Sequence, residues 1–118
     1  THFSPAQLDA FERKIQSRGL HCSHGGRFLS VTRNGANKGT AVQLVAQLYR
    51  AKSANLITVA IGDSPNDTPM LHAVDVPFLV QRPNGQWRRP EIPNLRLLSA
   101  IGPHGFTAMA KLIVTNQF

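Results

Sequence analysis

The chain is short of several things, and each shortage removes a class of protein. Its only cysteine, Cys22, has no partner in the chain, so an internally disulfide-stapled secreted scaffold is excluded. The longest apolar run, Leu56 to Ile61, falls far below the ~20 apolar helical residues that cross a bilayer. One Trp, Trp87, and one Tyr, Tyr49, do not make the clusters of aromatics interleaved with Lys or Arg that stack on single-stranded nucleic acid. The chain opens at Thr1 with no initiator methionine, no basic apolar leader and no Arg- and Ser-rich transit segment. The expectation is therefore a soluble, cytoplasmic protein cut from a longer chain.

Acidic residues are also scarce, 6 against 13 Lys and Arg, which leaves a net charge of +7. The basic residues are spread from Arg13 to Lys111 and form no tail. Charge alone leaves three explanations open: nucleic-acid binding, attraction of a small anionic substrate such as a phosphate ester, or loss of an acidic portion of a longer chain. With 118 residues, 42% of them hydrophobic, the sequence suits one domain, or one domain with a fragment of another.

Ser4, Pro5 and Gln7 have the pattern of a capping box with proline at the first helical position, and Leu8, Phe11 and Ile15 then share a helix face. Gly19 suits a left-handed helix stop. Leu20 to His24 and Arg27 to Arg33 read as two strands joined at Gly25 and Gly26, a hairpin with one face on the helix and the other free. The polar stretch Asn34 to Asn37 suits a domain crossing, giving domains at 1–34 and 35–118. From Lys38 a helix is expected to about Ala51, burying Val42, Val45, Leu48 and Tyr49. Leu56 to Ile61 and Val76 to Val80 are apolar or β-branched almost throughout, as parallel strands covered on both faces are. A short helix around Met70 to Ala73 would join them in a right-handed crossover. Gln81 to Asn94 reads as a polar loop with a turn at Asn84-Gly85, and Phe106 to Val114 as the closing helix.

The chemistry is concentrated in Gly62-Asp63-Ser64-Pro65-Asn66-Asp67, where the first of those strands ends. Ligands of open α/β sheets bind beyond the carboxyl ends of strands. Two carboxylates four residues apart can supply one metal ligand and one anchor behind it, and magnesium needs only a few hard oxygens because it keeps its waters. A plain strand-to-helix turn capped by Asp has the same composition. Lys38 tips the balance, because it opens the preceding helix and so can sit at the same sheet edge as a fixed positive charge for a phosphoryl group.

Lys38 with its apolar helix, followed by the strand and GDSPND, resembles the third and fourth motifs of the haloacid-dehalogenase superfamily, whose fourth motif often reads GDxxND. The run GGRFLSVTRNGANKG, the proline within GDSPND and the following MLHAVDVPFLV are similar to the mannosyl-3-phosphoglycerate phosphatase family in particular. The fold this implies is α/β: the C-terminal portion of a Rossmann-like parallel-sheet core plus the end of an α+β cap. The resemblance implies Mg²⁺ as cofactor with Asp63 as its ligand. Lys38 would neutralise phosphoryl oxygens, Asp67 with Asn66 would orient Lys38 and the metal's waters, and Ser64 would be a hydrogen-bonding residue of the loop. Arg27 would belong to the cap and meet the carboxylate or sugar end of a small phosphorylated substrate, while His24 is expected to be solvated.

The same resemblance exposes a gap. The superfamily's nucleophile and acid-base comes from an Asp-x-Asp motif, yet the aspartates here are Asp9, Asp63, Asp67 and Asp75, no two of them two residues apart. The Ser or Thr of the second motif is missing as well. The implied function is a C-terminal fragment of a magnesium-dependent phosphomonoesterase, inactive by itself, whose partner is the missing N-terminal part of its own chain. Another capped sugar phosphatase of the superfamily is one alternative, and a non-catalytic basic module for RNA is another, disfavoured by the lack of stacking aromatics.

Overall fold

The computed structural model describes residues 3–25 and 28–118. They divide into two compact units between Asn37 and Lys38, three residues beyond the division expected from sequence.

In the first unit, helix α1 spans Pro5–Gln16. Its start is the expected capping box: Ser4 Oγ accepts from Gln7 N at 3.2 Å and Gln7 Oε1 accepts from Ser4 N at 2.9 Å. Gly19 takes φ +72°, the left-handed conformation that ends the helix at least cost for a residue without Cβ. Strands β1 (Leu20–Gly25) and β2 (Phe28–Arg33) then pair antiparallel from Leu20↔Arg33 to Gly25↔Phe28. Helix α1 packs on β1, with Leu8 and Ile15 half-buried and Phe11 and Val31 exposed. His24 is largely exposed, as expected, and its Nε2 meets Glu12 Oε1 of the helix.

The second unit runs α2 (Lys38–Arg50), β3 (Val59–Gly62), a single 3₁₀ turn (Pro65–Asp67), α3 (Thr68–His72), β4 (Val76–Gln81), β5 (Arg96–Ile101) and α4 (Pro103–Val114). The sheet order is β3-β4-β5, parallel throughout. Strand β4 is central, and Phe78, Leu79 and Val80 are buried on its two faces as its unbroken apolar run demands. On one face Leu79, Ala60 and Leu71 form the core, covered by Met70 and Val74 and by Trp87, Ile92 and Leu95 of the long connection to β5. The other face is closed by α4, where a Cβ on Gly105 would come within 2.2 Å of Val80 Cγ1.

Four elements differ from the sequence expectation. Strand β3 begins at Val59, because Thr58 is drawn into a clamp in which Asp75 Oδ2 accepts from Thr58 N at 2.8 Å and from Thr58 Oγ1 at 2.7 Å. Strand β5 lies where no strand was expected, and α4 starts at Pro103 instead of Phe106. Helix α2 buries Gly39 and Ala46 against α3 and the 3₁₀ turn, whereas Val45, Leu48 and Tyr49 are 51%, 63% and 61% exposed. The reason is the position of β3 at the edge of the described sheet. A cleft of about 450 Å³ lined by Val42, Val45, Tyr49, Leu56, Val59 and Val74 leaves half of the helix's apolar arc uncovered.

Candidate functional site

Strand β3 ends at Gly62. The chain then turns through Asp63 and Ser64 into the 3₁₀ turn, which folds the Asp67 side chain back against Gly62. A Cβ at Gly62 would lie 2.6 Å from Asp67 Cβ, closer than any two such carbons approach, so glycine is what admits the carboxylate.

Asp67 is 5% exposed and fully engaged. Its Oδ2 accepts from the backbone N–H groups of Asp63 and Ser64, both at 3.2 Å, and from Ser64 Oγ at 2.9 Å. Its Oδ1 accepts from Lys38 Nζ at 2.5 Å. Burial pushes the carboxyl pKa up, but hydrogen bonds from Lys38, Ser64 and the Asp63 amide, with the lysine's charge, hold it below the usual value. A buried carboxylate that is paired and saturated with donors stays ionised.

Lys38 is the first residue of α2, and its side chain remains 53% exposed while its ammonium is tied to Asp67. It is thereby a positive charge of fixed position with room to meet an anion. Asp63 is half-buried at the carboxyl end of β3, and its backbone N–H donates to Asp67 Oδ2. A carboxylate held in place by its own backbone offers the hard oxygens that a magnesium ion takes. Among the described residues no three or more His, Cys, Asp and Glu side chains gather to hold a metal, so Asp63 can be one ligand of a shared set and no more. Ser64 Oγ lies between Asp67 Oδ2 and the Asn66 side-chain amide.

The structure thus brings Lys38, Ser64, Asn66 and Asp67 into one hydrogen-bonded group beside Asp63. The ammonium meets Asp67 directly, and Asp63 joins through its backbone amide. Arg27, the candidate for substrate contact, lies outside the described residues. Gly62 is a residue of the site whose part the sequence did not reveal: it leaves space for Asp67. The proximity of two residues five apart, across a turn, was the signal available.

Residues 2–84 match the haloacid dehalogenase-like hydrolase family. Over 105 residues the chain is 39% identical to a glucosyl-3-phosphoglycerate/mannosyl-3-phosphoglycerate phosphatase of Methanococcoides burtonii, covering 87% of this chain and 38% of the relative. A protein of the same description from Persephonella marina is 34% identical over 85 residues, covering 71% of this chain and 32% of the relative. The mannosyl-3-phosphoglycerate phosphatase of Pyrococcus furiosus is 33% identical over 72 residues, 61% of this chain and 29% of the relative. The chain therefore spans between 29% and 38% of the length of these curated relatives. Among solved structures, Thermoplasma acidophilum 0175 superposes with a TM-score of 0.63 at 18% identity, covering 98% of this chain and 48% of that one, a likeness of fold alone.

Proposed function

The chain belongs to the haloacid dehalogenase-like hydrolase family, and from that premise we propose that it is the C-terminal part of a magnesium-dependent phosphomonoesterase acting on a phosphorylated sugar or glycerate. The names of its relatives favour mannosyl-3-phosphoglycerate as the substrate of the parent protein. The observation that carries the reading is the Lys38 ammonium, anchored at 2.5 Å on a buried, ionised Asp67 at the end of β3 that also bears Asp63. Phosphoryl transfer is limited by charge on the oxygens in flight, and a positive group already in place stabilises it without reorganisation. Lys38 supplies that charge and Asp67 keeps it aimed. Asp63 would hold Mg²⁺, which when bound neutralises further phosphoryl charge and helps to orient the substrate.

The nucleophile comes from elsewhere, an aspartate in the N-terminal part of the parent chain. The open edge of β3 supports that partner. Helix α2 packs on α3, the helix that carries the crossover from β3 to β4, so both lie on the same side of the sheet. The chain enters α2 from β2 of the first unit, and parallel crossovers are right-handed in about 98% of cases, so a parallel core strand lying before that unit in the parent would fall on the uncovered side of β3. A cytoplasmic location accords with the single cysteine and with the fact that no described helix is long and apolar enough to cross a membrane.

In the parent, Asp63→Ala should weaken metal binding, and excess magnesium should restore part of the rate. Lys38→Ala removes charge that matters chiefly in the transition state, so it should cost several kcal/mol, on the order of 3, whatever the magnesium concentration. Magnesium titrations of both variants, with mannosyl- and glucosyl-3-phosphoglycerate as substrates, separate the two failures. Magnesium-dependent turnover by the 118-residue chain that survives Asp63→Ala would overturn the reading.

A further inference from the structure

We propose that Ser64 is a positioning residue whose hydroxyl donates to Asp67 and accepts from the Asn66 side chain, so that one directed chain of hydrogen bonds fixes Lys38 and Asn66 together. The Ser64 hydroxyl has two polar side-chain neighbours, Asp67 Oδ2 at 2.9 Å and the Asn66 amide. A hydroxyl has one proton to give. Asp67 faces the Lys38 ammonium at 2.5 Å, and an ionised carboxylate can only accept. The proton therefore goes to Oδ2.

Ser64 must then accept from its other neighbour. With Asn66 Oδ1 turned towards Ser64 Oγ, two acceptors would face each other without a proton between them. The amide oxygen and nitrogen occupy nearly the same space, so a half-turn of the amide brings Nδ2–H to Ser64 and removes the conflict. The sequence of donors becomes Asn66 Nδ2 to Ser64 Oγ, and Ser64 Oγ to Asp67 Oδ2, with Lys38 Nζ donating to Asp67 Oδ1. Two consequences follow for neighbouring groups. Asp67 cannot swing, because Oδ2 already takes donors from Asp63 N, Ser64 N and Ser64 Oγ, which leaves Oδ1 for Lys38 alone. Asn66 presents its Oδ1 away from Ser64 as an acceptor of fixed direction. Without the hydroxyl, Oδ2 keeps only two backbone contacts of 3.2 Å, and Asn66 loses its anchor.

The hydrogen-bond order is tested in the 118-residue chain, and its bearing on catalysis, which alone rests on the phosphatase reading, is tested in the parent. In ¹⁵N-labelled chain, exchange of the Asn66 side-chain amide protons should quicken about tenfold in Ser64→Ala and return towards the original rate in Ser64→Thr, which restores a hydroxyl. In the parent, Ser64→Ala should lower kcat about tenfold at nearly constant KM, with Ser64→Thr recovering most of it. If Ser64→Ala does not fold, Asn66→Asp decides the direction of the chain: it puts an acceptor where a donor is required and should lower the melting temperature, whereas a serine donating to Asn66 would tolerate it. Unchanged amide exchange in a folded Ser64→Ala, or no recovery with Thr, overturns the proposal. So does a parent kcat that is unaffected by Ser64→Ala. If the amide result holds while the parent shows no magnesium-dependent turnover, the functional reading fails and the hydrogen-bond order stands.

Discussion

Gly62 and Asp67 occupy neighbouring space, and Gly62→Ala would put a methyl 2.6 Å from Asp67 Cβ and 3.1 Å from its Oδ2. The carboxylate is the least able to yield, since four donors hold it. Gly62→Ala is expected to cost about 1–3 kcal/mol in urea-denaturation midpoints, as overpacking of a closed site does. It should also loosen Lys38 from Asp67, visible as faster chemical modification of the lysine. A variant as stable as the original, with Lys38 equally protected, would contradict this account of the turn. That Lys38 and the turn from Asp63 to Asp67 meet at one end of the sheet was legible in the sequence, because a helix start and a strand end place them there. The part played by Gly62 was not, since it depends on which side chain returns to meet it, and only the path of the turn settles that.

At the scale of elements, the carboxyl ends of the strands carry the site, and the opposite ends are tied by Asp75. Its Oδ2 accepts from Thr58 N and Oγ1, while Thr58 O accepts from the backbone N–H groups of Asp75 and Val76 at 3.1 and 3.0 Å, so β3 and β4 start in fixed register. Arg50 of α2 approaches the same carboxylate at 3.5 Å. Hydrogen bonds from the Thr58 side chain and backbone are the main cause that lowers the Asp75 pKa below its ordinary value, with Arg50 a lesser one. A carboxyl whose folded pKa lies below its unfolded one stabilises the fold fully above the unfolded value, about 4, and progressively less as pH falls through the folded value. Asp75→Asn should therefore lower stability by about 1 kcal/mol at pH 7, a modest figure because the group is solvated, and the gap to the original chain should close below about pH 4. Urea titrations at several pH values check it; a gap that is constant with pH would show that the carboxylate's charge is irrelevant. The ends of β3 hid this clamp from sequence reasoning, which saw Leu56, Ile57 and Thr58 as apolar or β-branched strand residues. Strand β5 was missed for a related reason: Arg96 opens it, and Ser99 and Ala100 dilute a run that pairs with a neighbour on one side only. The central strand β4, buried on both faces, was the most legible element.

For the whole molecule, the telling feature is an apolar surface where the sequence predicted core. Val45, Leu48 and Tyr49, expected to be core, are each at least half exposed, as is Leu44, and Val45 and Tyr49 line the cleft beside β3 at the edge of the described sheet. The periodicity of α2 was correctly read as amphipathic, but an apolar arc states that something covers it and not what. In the 118-residue chain this face should drive self-association, opposed by a net charge of +7 on each copy. Screening weakens that repulsion, so sedimentation velocity should show more association at high salt than at low salt. Leu48→Lys should abolish it while changing the stability of the isolated chain by no more than about 0.5 kcal/mol, since the leucine there is already in water. In the parent the N-terminal strand would cover the same face, and Leu48→Lys would then uncover a packed leucine and bury an unpaired charge. The expected loss is at least the 1.5–3 kcal/mol, roughly, of a fully buried leucine side chain. The substitution should thus leave the denaturation midpoint of the isolated chain nearly unchanged and lower that of the parent, and the comparison of the two changes is the measurement. Equal tolerance of Leu48→Lys in both would mean that no N-terminal strand of the parent covers this face of α2, and the crossover argument that places one on the uncovered side of β3 would have to be abandoned.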